Sequence, residues 1–394
     1  MPRPDLLARL HQACAARAEA DLLRRLRCVS DTDGAAVVLD GRRLLNFASN
    51  DYLGLARHER VREALVVTAR HRGVGATAAH LLGGHCDEHE ALERKLADWT
   101  GRERALLFSS GYLANLGVLA ALLREGDLCL QDKLNHASLL DGAKLARATL
   151  KRYVHADVES ARRQLGTAPQ TAALLATDGV FSMDGDVAPL RELAALCREQ
   201  NVALHVDDAH GLGVLGGDGA GSVAEARLDA QAVPVLMATL GKAVGVCGAF
   251  VAGSAALIEG LVQFARSYVY TTALPPALAA ATAAAVDIAR HESWRRSRLH
   301  TLIAHLRAGA ATRGLTLLPS RTAIQPLLVG DSAAALHLSR ALESDGFYVP
   351  AIRPPTVAAG AARLRITLST LHTESMVEQL LDALARHVAP RGGT

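Results

Sequence analysis

Apolar residues recur at Leu6, Leu10, Ala13, Leu22, Leu23 and Leu26 among arginines and acids, and this spacing predicts an amphipathic helix over residues 5–27. A short strand pair is expected next, with Asp40-Gly41-Arg42 as its turn. From about residue 50 the pattern changes to short apolar runs separated by helical periods. The runs at 105–108, 128–130, 172–177, 203–206, 235–238 and 248–252 predict strands buried on both faces. Helices are expected between several of them, as at 88–99, 112–123 and 190–200. This alternation predicts an α/β fold, a large domain around a mostly parallel central sheet.

The step Leu274-Pro275-Pro276 interrupts the alternation. A long helix is expected beyond it, roughly 277–309, then a strand at 324–329, a helix at 333–344, a strand at 363–368 and a helix at 374–387. These read as a smaller C-terminal α+β domain. The expected division is residues 1–49 for the first helix and short strands, 50–285 for the large domain and 286–394 for the small one. No internal repeat is visible. The glycine-rich stretch 211–222 is the longest loop-like segment, and loops of that length are often functional.

Composition narrows the classes. A chain of 394 residues exceeds what one core normally holds. A formal net charge of +3, with no basic block, gives no reason to expect a nucleic-acid partner. The cysteines (Cys14, Cys28, Cys86, Cys129, Cys197 and Cys247) form no C-x-x-C pair, which fits a reduced, cytoplasmic chain. Met1-Pro2-Arg3-Pro4-Asp5 is too polar for a signal peptide, and no uncharged apolar run is long enough to predict a membrane span.

Four segments carry candidate chemistry. Lys242 follows an apolar strand in Ala238-Thr239-Leu240-Gly241-Lys242, at the sheet edge where α/β enzymes place ligands. A lysine held there loses its proton readily and forms imines, while Thr239 can bind an anion such as phosphate. An ordinary surface lysine is the bland alternative. In Leu204-His205-Val206-Asp207-Asp208-Ala209-His210, a strand ends in two carboxylates and a histidine. Strand-end capping, a metal site on His205, Asp207 and His210, and a pyridoxal 5′-phosphate (PLP) ring site with Asp207 at the pyridine nitrogen all suit it. The lysine about 35 residues later favours the PLP site, and no metal is expected.

The match Gly211-Leu212-Gly213-Val214-Leu215-Gly216 runs into more glycines rather than a helix, which argues against a dinucleotide site. Phe108-Ser109-Ser110-Gly111-Tyr112 ends a strand and opens a helix, whose free amides suit a phosphate or simply a serine cap. His136 opens another helix and offers a flat group to stack on a ring, although an isolated histidine there is more often structural.

Together these segments resemble the α-oxoamine synthase family of fold-type I PLP-dependent transferases. The resemblance runs from Asn46-Phe47-Ala48-Ser49-Asn50-Asp51-Tyr52 to about Leu371, and is specific in Asp178-Gly179-Val180-Phe181-Ser182-Met183-Asp184-Gly185-Asp186 and in Thr239-Leu240-Gly241-Lys242. It implies that Lys242 carries PLP as a Schiff base, that Asp207 pairs with the ring nitrogen and that His136 stacks on the ring. It places Ser182 and His210 around the ring substituents and Gly111, Tyr112 and Thr239 at the phosphate. Thr271 and Thr272 resemble a pair that reaches the phosphate of the other subunit, so a homodimer is implied. Arg24, Asn50, His136, Arg353 and Thr356 would face substrate.

The segment Ala351-Ile352-Arg353-Pro354-Pro355-Thr356-Val357 resembles members that join L-alanine to a pimeloyl thioester, on CoA or carrier protein, in biotin synthesis. Members that use glycine with an acetyl or succinyl thioester are the alternative. Two departures stand out: Ala78-Ala79-His80 is poorer in glycine and serine than in many relatives, and Leu212 replaces a common small polar residue.

Overall fold

Asp5 opens the first helix, Leu6–Glu19, by accepting from the amides of Leu7 (2.9 Å) and Ala8 (3.2 Å). The computed structural model describes residues 3–20, 22–168 and 171–388. The helix stops well short of residue 27. Residues 22–28 form neither helix nor strand, and Arg27 is held by Asp40 (2.7 Å) and Glu343 (2.6 Å), tertiary pairs that helical periodicity does not reveal. Leu6, Leu7 and Leu10 remain exposed.

Three short strands follow: β1 (Val29–Thr32), β2 (Ala36–Leu39) and β3 (Arg42–Asn46). The predicted turn joins β2 to β3, with Asp40 (φ 49°) and Gly41 (φ 76°) both left-handed, the geometry a two-residue hairpin favours.

The large sheet has seven strands: β4 (Arg104–Phe108), β5 (Leu128–Asp132), β6 (Thr149–Tyr153), β7 (Ala173–Asp178), β8 (Ala203–Asp207), β9 (Val235–Thr239) and β10 (Ala249–Gly253). Their order is β4-β10-β9-β8-β7-β5-β6, and β10 alone runs against its neighbours. Six strands match the predicted apolar runs. β6 escapes prediction because it is an edge strand, largely exposed, with Lys151 and Arg152 in its middle. The carboxyl ends of β5, β7, β8 and β9 bring Asp132, Asp178, Asp207 and Thr239 to one rim, where ligands bind in sheets of this kind.

Pro275 and Pro276 do end the alternation, and Pro276 occupies the first turn of the next helix, where its missing amide is harmless. The single helix expected over 277–309 is two helices, Pro276–His291 and Ser293–Thr312, broken at Glu292 (ψ 67°). At the break the Glu292 carboxylate accepts from Nε of Arg295 (2.9 Å), and the Arg295 guanidinium donates to the Leu53 carbonyl (3.0 Å). The remaining strands are β11 (Ile324–Gly330), β12 (Phe347–Tyr348), β13 (Ala351–Ile352) and β14 (Ala362–Thr367). β11, β14 and β13 form an antiparallel sheet, while β12 pairs with β3 in parallel. One apolar cluster runs from Phe47 and Tyr52 through Leu240, Val286 and Leu302 to Ile366 and Leu381, so both sheets share a core.

Stretch 211–222 is a series of turns held from beneath by Asp208. Its carboxylate accepts from the amide and hydroxyl of Ser222, both at 2.7 Å. A Cβ at Gly179, Gly211 or Gly221 would overlap that carboxylate, which explains glycine at those positions. Burial pushes the Asp208 carboxyl up to about 7. No helix opens at Gly211–Gly216, so the dinucleotide reading is excluded on geometry.

A second clamp fixes the segment after β7. His155 lies between Asp132 (3.0 Å) and Asp186 (2.9 Å), edge-on to Phe181. Burial lowers the imidazole pKa, but the two carboxylates outweigh it and hold it at about 10. A raised histidine pKa stabilises the fold fully below the unfolded value of about 6.5, and the stabilisation fades as pH rises towards 10. His155→Gln should therefore lower Tm at pH 7 by about 2–3 °C, roughly 2 kcal/mol once solvent screening of this partly exposed group is allowed for. The deficit should shrink as pH rises from about 7 towards 10. A deficit independent of pH in calorimetry would show that packing against Phe181 is the whole effect.

Candidate active site

Local chemistry explains each element of the rim. Ser110 caps the helix Gly111–Leu122 through the amide of Leu113 (3.3 Å), leaving the amides of its first turn directed at the space above β4 and β9. His136 caps Ala137–Leu145 in the same way, its Nδ1 accepting from the Ser138 amide (3.3 Å). β8 delivers Asp207 to the rim, and the turn after β9 delivers Lys242.

These residues line one cavity of about 150 Å³. Of the predicted site residues it contains Gly111, Tyr112, His136, Ser182, Asp207, His210, Thr239 and Lys242; Ser138, Asp178 and Met237 complete much of its wall. A wider cavity of about 640 Å³ adjoins it at His136 and Ser182 and is lined by Thr356 and Arg363. Asn50 sits behind His210, linked to it through Tyr52. Arg353 is half-buried in the loop that presents Thr356, and its carbonyl accepts from the Thr356 amide (3.0 Å). Arg24 is exposed in the stretch before β1, and Thr271 and Thr272 lie outside the cavity on a segment that bridges to Ala79. Neither Arg24 nor the threonine pair meets the other site residues within the single chain.

Two hydrogen-bond chains support the cavity, and the sequence reading assigns no role to Asn115, Ser138, Tyr52 or Arg365 within them. In the first, Asn115 Nδ2 donates to Asp207 Oδ2 (2.7 Å) and to the Ser138 hydroxyl (2.8 Å), which contacts His136 Nδ1 (2.7 Å). The other Asp207 oxygen accepts from the Ala209 amide (3.0 Å). In the second, the Tyr52 hydroxyl bridges His210 Nδ1 (2.7 Å) and Asn50 Oδ1 (3.1 Å), and Asn50 also accepts from Arg365 (3.3 Å). Arg365 is anchored by its own donation to the Ser182 carbonyl (2.6 Å). Asn115 lies one helical turn inside a predicted helix, so its meeting with Asp207 depends on the packing of that helix over β9 and β10.

Charge is finely balanced here. Burial lowers the Lys242 pKa to about 8, against the pull of Asp207 and Asp178. Burial, and then the positive charge of Lys242, keep His210 neutral well below its usual range. His136 is likewise lowered by burial. Asp178 is raised well above the usual carboxylate range by burial and by the neighbouring Asp207 charge. The site thus pairs an amine poised near neutrality with a carboxylate held by two N–H donors and a flat neutral imidazole. Among the described residues, His205, Asp207 and His210 do not converge as metal ligands; the group that does is His80, His85 and His89. His205 is fully buried under the rim.

A cavity with a lysine amine, a carboxylate, a flat imidazole and a helix N-terminus fits the parts of PLP: aldehyde, ring nitrogen, ring face and phosphate. The fold is that of the fold-type I PLP-dependent transferases. A protein-family profile described as aminotransferase class I and II matches residues 42–384, and the chain belongs to that family. Among solved structures, Sphingomonas wittichii serine palmitoyltransferase superposes with a TM-score of 0.93 at 31% identity, covering 98% of each chain. Serine palmitoyltransferase from S. paucimobilis with bound PLP–myriocin superposes with a TM-score of 0.92 at 27% identity, also covering 98% of each chain.

Curated relatives narrow the likeness further. The chain is 54% identical to 8-amino-7-oxononanoate synthase of Xanthomonas euvesicatoria, over 99% of this chain and 98% of that protein. It is 54% identical to 8-amino-7-oxononanoate synthase of Alkalilimnicola ehrlichii, over 96% and 97% of the two chains.

Proposed function

We propose that this chain condenses L-alanine with a pimeloyl thioester, releasing CO2 and the free thiol and forming 8-amino-7-oxononanoate for biotin synthesis. The observation that carries the reading is the 54% identity, over 99% of the chain, to relatives of that name. The cavity supplies matching chemistry. PLP would be held by Lys242, Asp207, His136, His210, Ser182, Thr239 and the helix that begins at Gly111; when bound, it supplies an electron sink for charge that develops on the amino-acid Cα.

The chain's own groups do the rest. The Lys242 amine takes the alanine Cα proton, a task suited to a pKa near 8. Asp207, its carboxylate fixed by Asn115 and the Ala209 amide, would hold a proton on the ring nitrogen. His136, oriented by Ser138, would cover one ring face. The chain Arg365–Asn50–Tyr52 orients His210 and brings a cation close to where the alanine carboxylate is lost. The acyl chain enters through the wider cavity beside Thr356, with Arg353 in the same loop and Arg24 from the N-terminal stretch contributing positive charge. The new carbon–carbon bond forms between Cα and the thioester carbonyl, the thiol leaves, CO2 departs from the resulting β-keto acid, and a proton takes its place at Cα.

The decisive measurement is turnover of purified enzyme with a panel of amino acids and thioesters. Alanine with pimeloyl-CoA or pimeloyl carrier protein should exceed every other pair by at least about 100-fold in kcat/KM, a discrimination of about 3 kcal/mol. Faster turnover of glycine with acetyl- or succinyl-CoA, or of serine with a long-chain acyl-CoA, overturns the substrate assignment.

A cytoplasmic homodimer belongs to this reading. It is supported by six unpaired cysteines and by exposed apolar side chains (Val74, Leu82, Phe264 and Tyr270) on segments flanking Thr271 and Thr272. Among the described residues no helix is long and apolar enough to cross a membrane. Sedimentation of the holoenzyme should give twice the chain mass. A fully active monomer at assay concentration rules out a shared site.

A further inference from the structure

Away from the cavity, three imidazoles converge where the chain turns into the helix Asp87–Thr100. His80 and His85 are brought together by the turn Gly83-Gly84. Gly83 is left-handed (φ 93°), the Gly84 amide donates to the Ala79 carbonyl (2.9 Å), and a Cβ at Gly84 would overlap the carbonyls of Ala78 and Ala79. His89 follows His85 by four residues in the helix. One ring nitrogen from each histidine lies within 4.8 Å of the other two. Nδ1 of His80 and Nδ1 of His85 are 2.9 Å apart. Ligands about 2.05 Å from a tetrahedral zinc sit roughly 3.3 Å from one another, so a small adjustment admits an ion.

The outer nitrogens are placed as metal-bound histidines place them. His85 Nε2 faces the carboxylates of Glu90 and Glu93, each at 3.9 Å, and His89 Nε2 meets the Leu274 carbonyl (2.5 Å). His89 Nδ1 accepts from the Cys86 amide (3.1 Å), and an ion bound at Nδ1 would take the place of that amide. Burial keeps the imidazoles neutral, the form that binds metal, with His80 lowered to about 3. Single roles exist for two of the three: His89 caps its helix, and His80 stacks on Tyr268 with ring centroids 4.9 Å apart. Those roles do not account for three neutral imidazoles converging while the outer nitrogen of His89 meets a carbonyl and that of His85 faces two carboxylates.

The geometry points to a binding site for one divalent ion of the zinc class on His80, His85 and His89, with water completing the coordination. Nothing in the catalytic reading is needed for it. Occupancy would tie the 78–86 segment to Leu274, at the end of the stretch that carries Thr271 and Thr272, and so would stiffen the segment on which the proposed subunit contact depends.

The test uses metal-stripped holoenzyme titrated with Zn2+ against a chromophoric chelator. One equivalent should bind with Kd below about 1 μM. His85→Ala, at a partly exposed position, should weaken this binding by at least about 100-fold. Co2+ bound to the unmodified enzyme should show the strong visible bands of tetrahedral coordination, a readout that holds even if a variant fails to fold. Equal zinc binding by the unmodified enzyme and His85→Ala, or a weak octahedral cobalt spectrum, overturns the proposal.

Discussion

Lys242→Ala should cut turnover by about 10⁴-fold or more, the larger end of what a positioned proton-transfer group contributes. Two functions are lost at once: the amine that attaches the cofactor and the base for the amino-acid Cα. The environment of the residue supports both. Burial brings its pKa down to about 8, so a sizeable fraction is neutral near physiological pH. Asp207 and Asp178 stop the pKa falling further, which preserves basicity. The sign of the pH dependence follows: exchange of the alanine Cα proton in the unmodified enzyme should rise with pH through about 8 and then level off. Borohydride reduction should fix the cofactor to the peptide containing Lys242. Cofactor trapped on another lysine, or Lys242→Ala retaining a tenth of the exchange rate, removes Lys242 from this role.

Much of this site is legible in sequence because its parts sit at strand ends. Lys242, Asp207 and Thr239 each follow an apolar run, and the carboxyl edge of a parallel sheet gathers such residues by construction. Gly111 and His136 are legible for a related reason, since each opens or caps a helix immediately after a strand or turn. What sequence does not carry is contact between remote elements. Asn115 meets Asp207 because the helix Gly111–Leu122 packs over β9 and β10, next to β8, and Tyr52 meets His210 because the segment after β3 folds over the rim. The same limit explains the fold-level differences. The pairing of β12 with β3 joins the two ends of the chain and leaves no local periodicity. The break at Glu292 occupies one residue inside an unbroken helical pattern, fixed by an arginine that reaches back to Leu53.

The N-terminal helix teaches the complementary lesson. Its amphipathic spacing is real over Leu6–Glu19, yet its leucines are exposed in the single chain. Amphipathicity predicts that a face will be covered without saying by what. The assignment of Thr271 and Thr272 shares that property, because the resemblance places the pair at the phosphate of another subunit.

Asp207→Asn should lower Cα-proton exchange by about 10³-fold, equivalent to about 4 kcal/mol of transition-state stabilisation, while leaving cofactor content near normal. The carboxylate does two things that an amide of the same shape cannot. Its charge holds a proton on the ring nitrogen, which makes the ring an effective electron sink. Its two oxygens also accept from two separate donors, Asn115 Nδ2 at 2.7 Å and the Ala209 amide at 3.0 Å. An asparagine has one acceptor oxygen, so one of those donors would face an NH2 group in a buried setting, at a cost of roughly 1–3 kcal/mol. Asp207→Asn should therefore lose stability as well as rate, and the two losses separate experimentally. Asn115→Ala removes the donor but keeps the carboxylate charge. It should slow exchange by only about tenfold, with a melting deficit comparable to that of Asp207→Asn. If charge at the ring nitrogen is what matters, the rate ratio between the two variants stays near 100-fold while their Tm values lie close together. Near-normal exchange in Asp207→Asn, or equal rate losses in both variants, would show that Asp207 serves the fold and that the electron sink is maintained by another group.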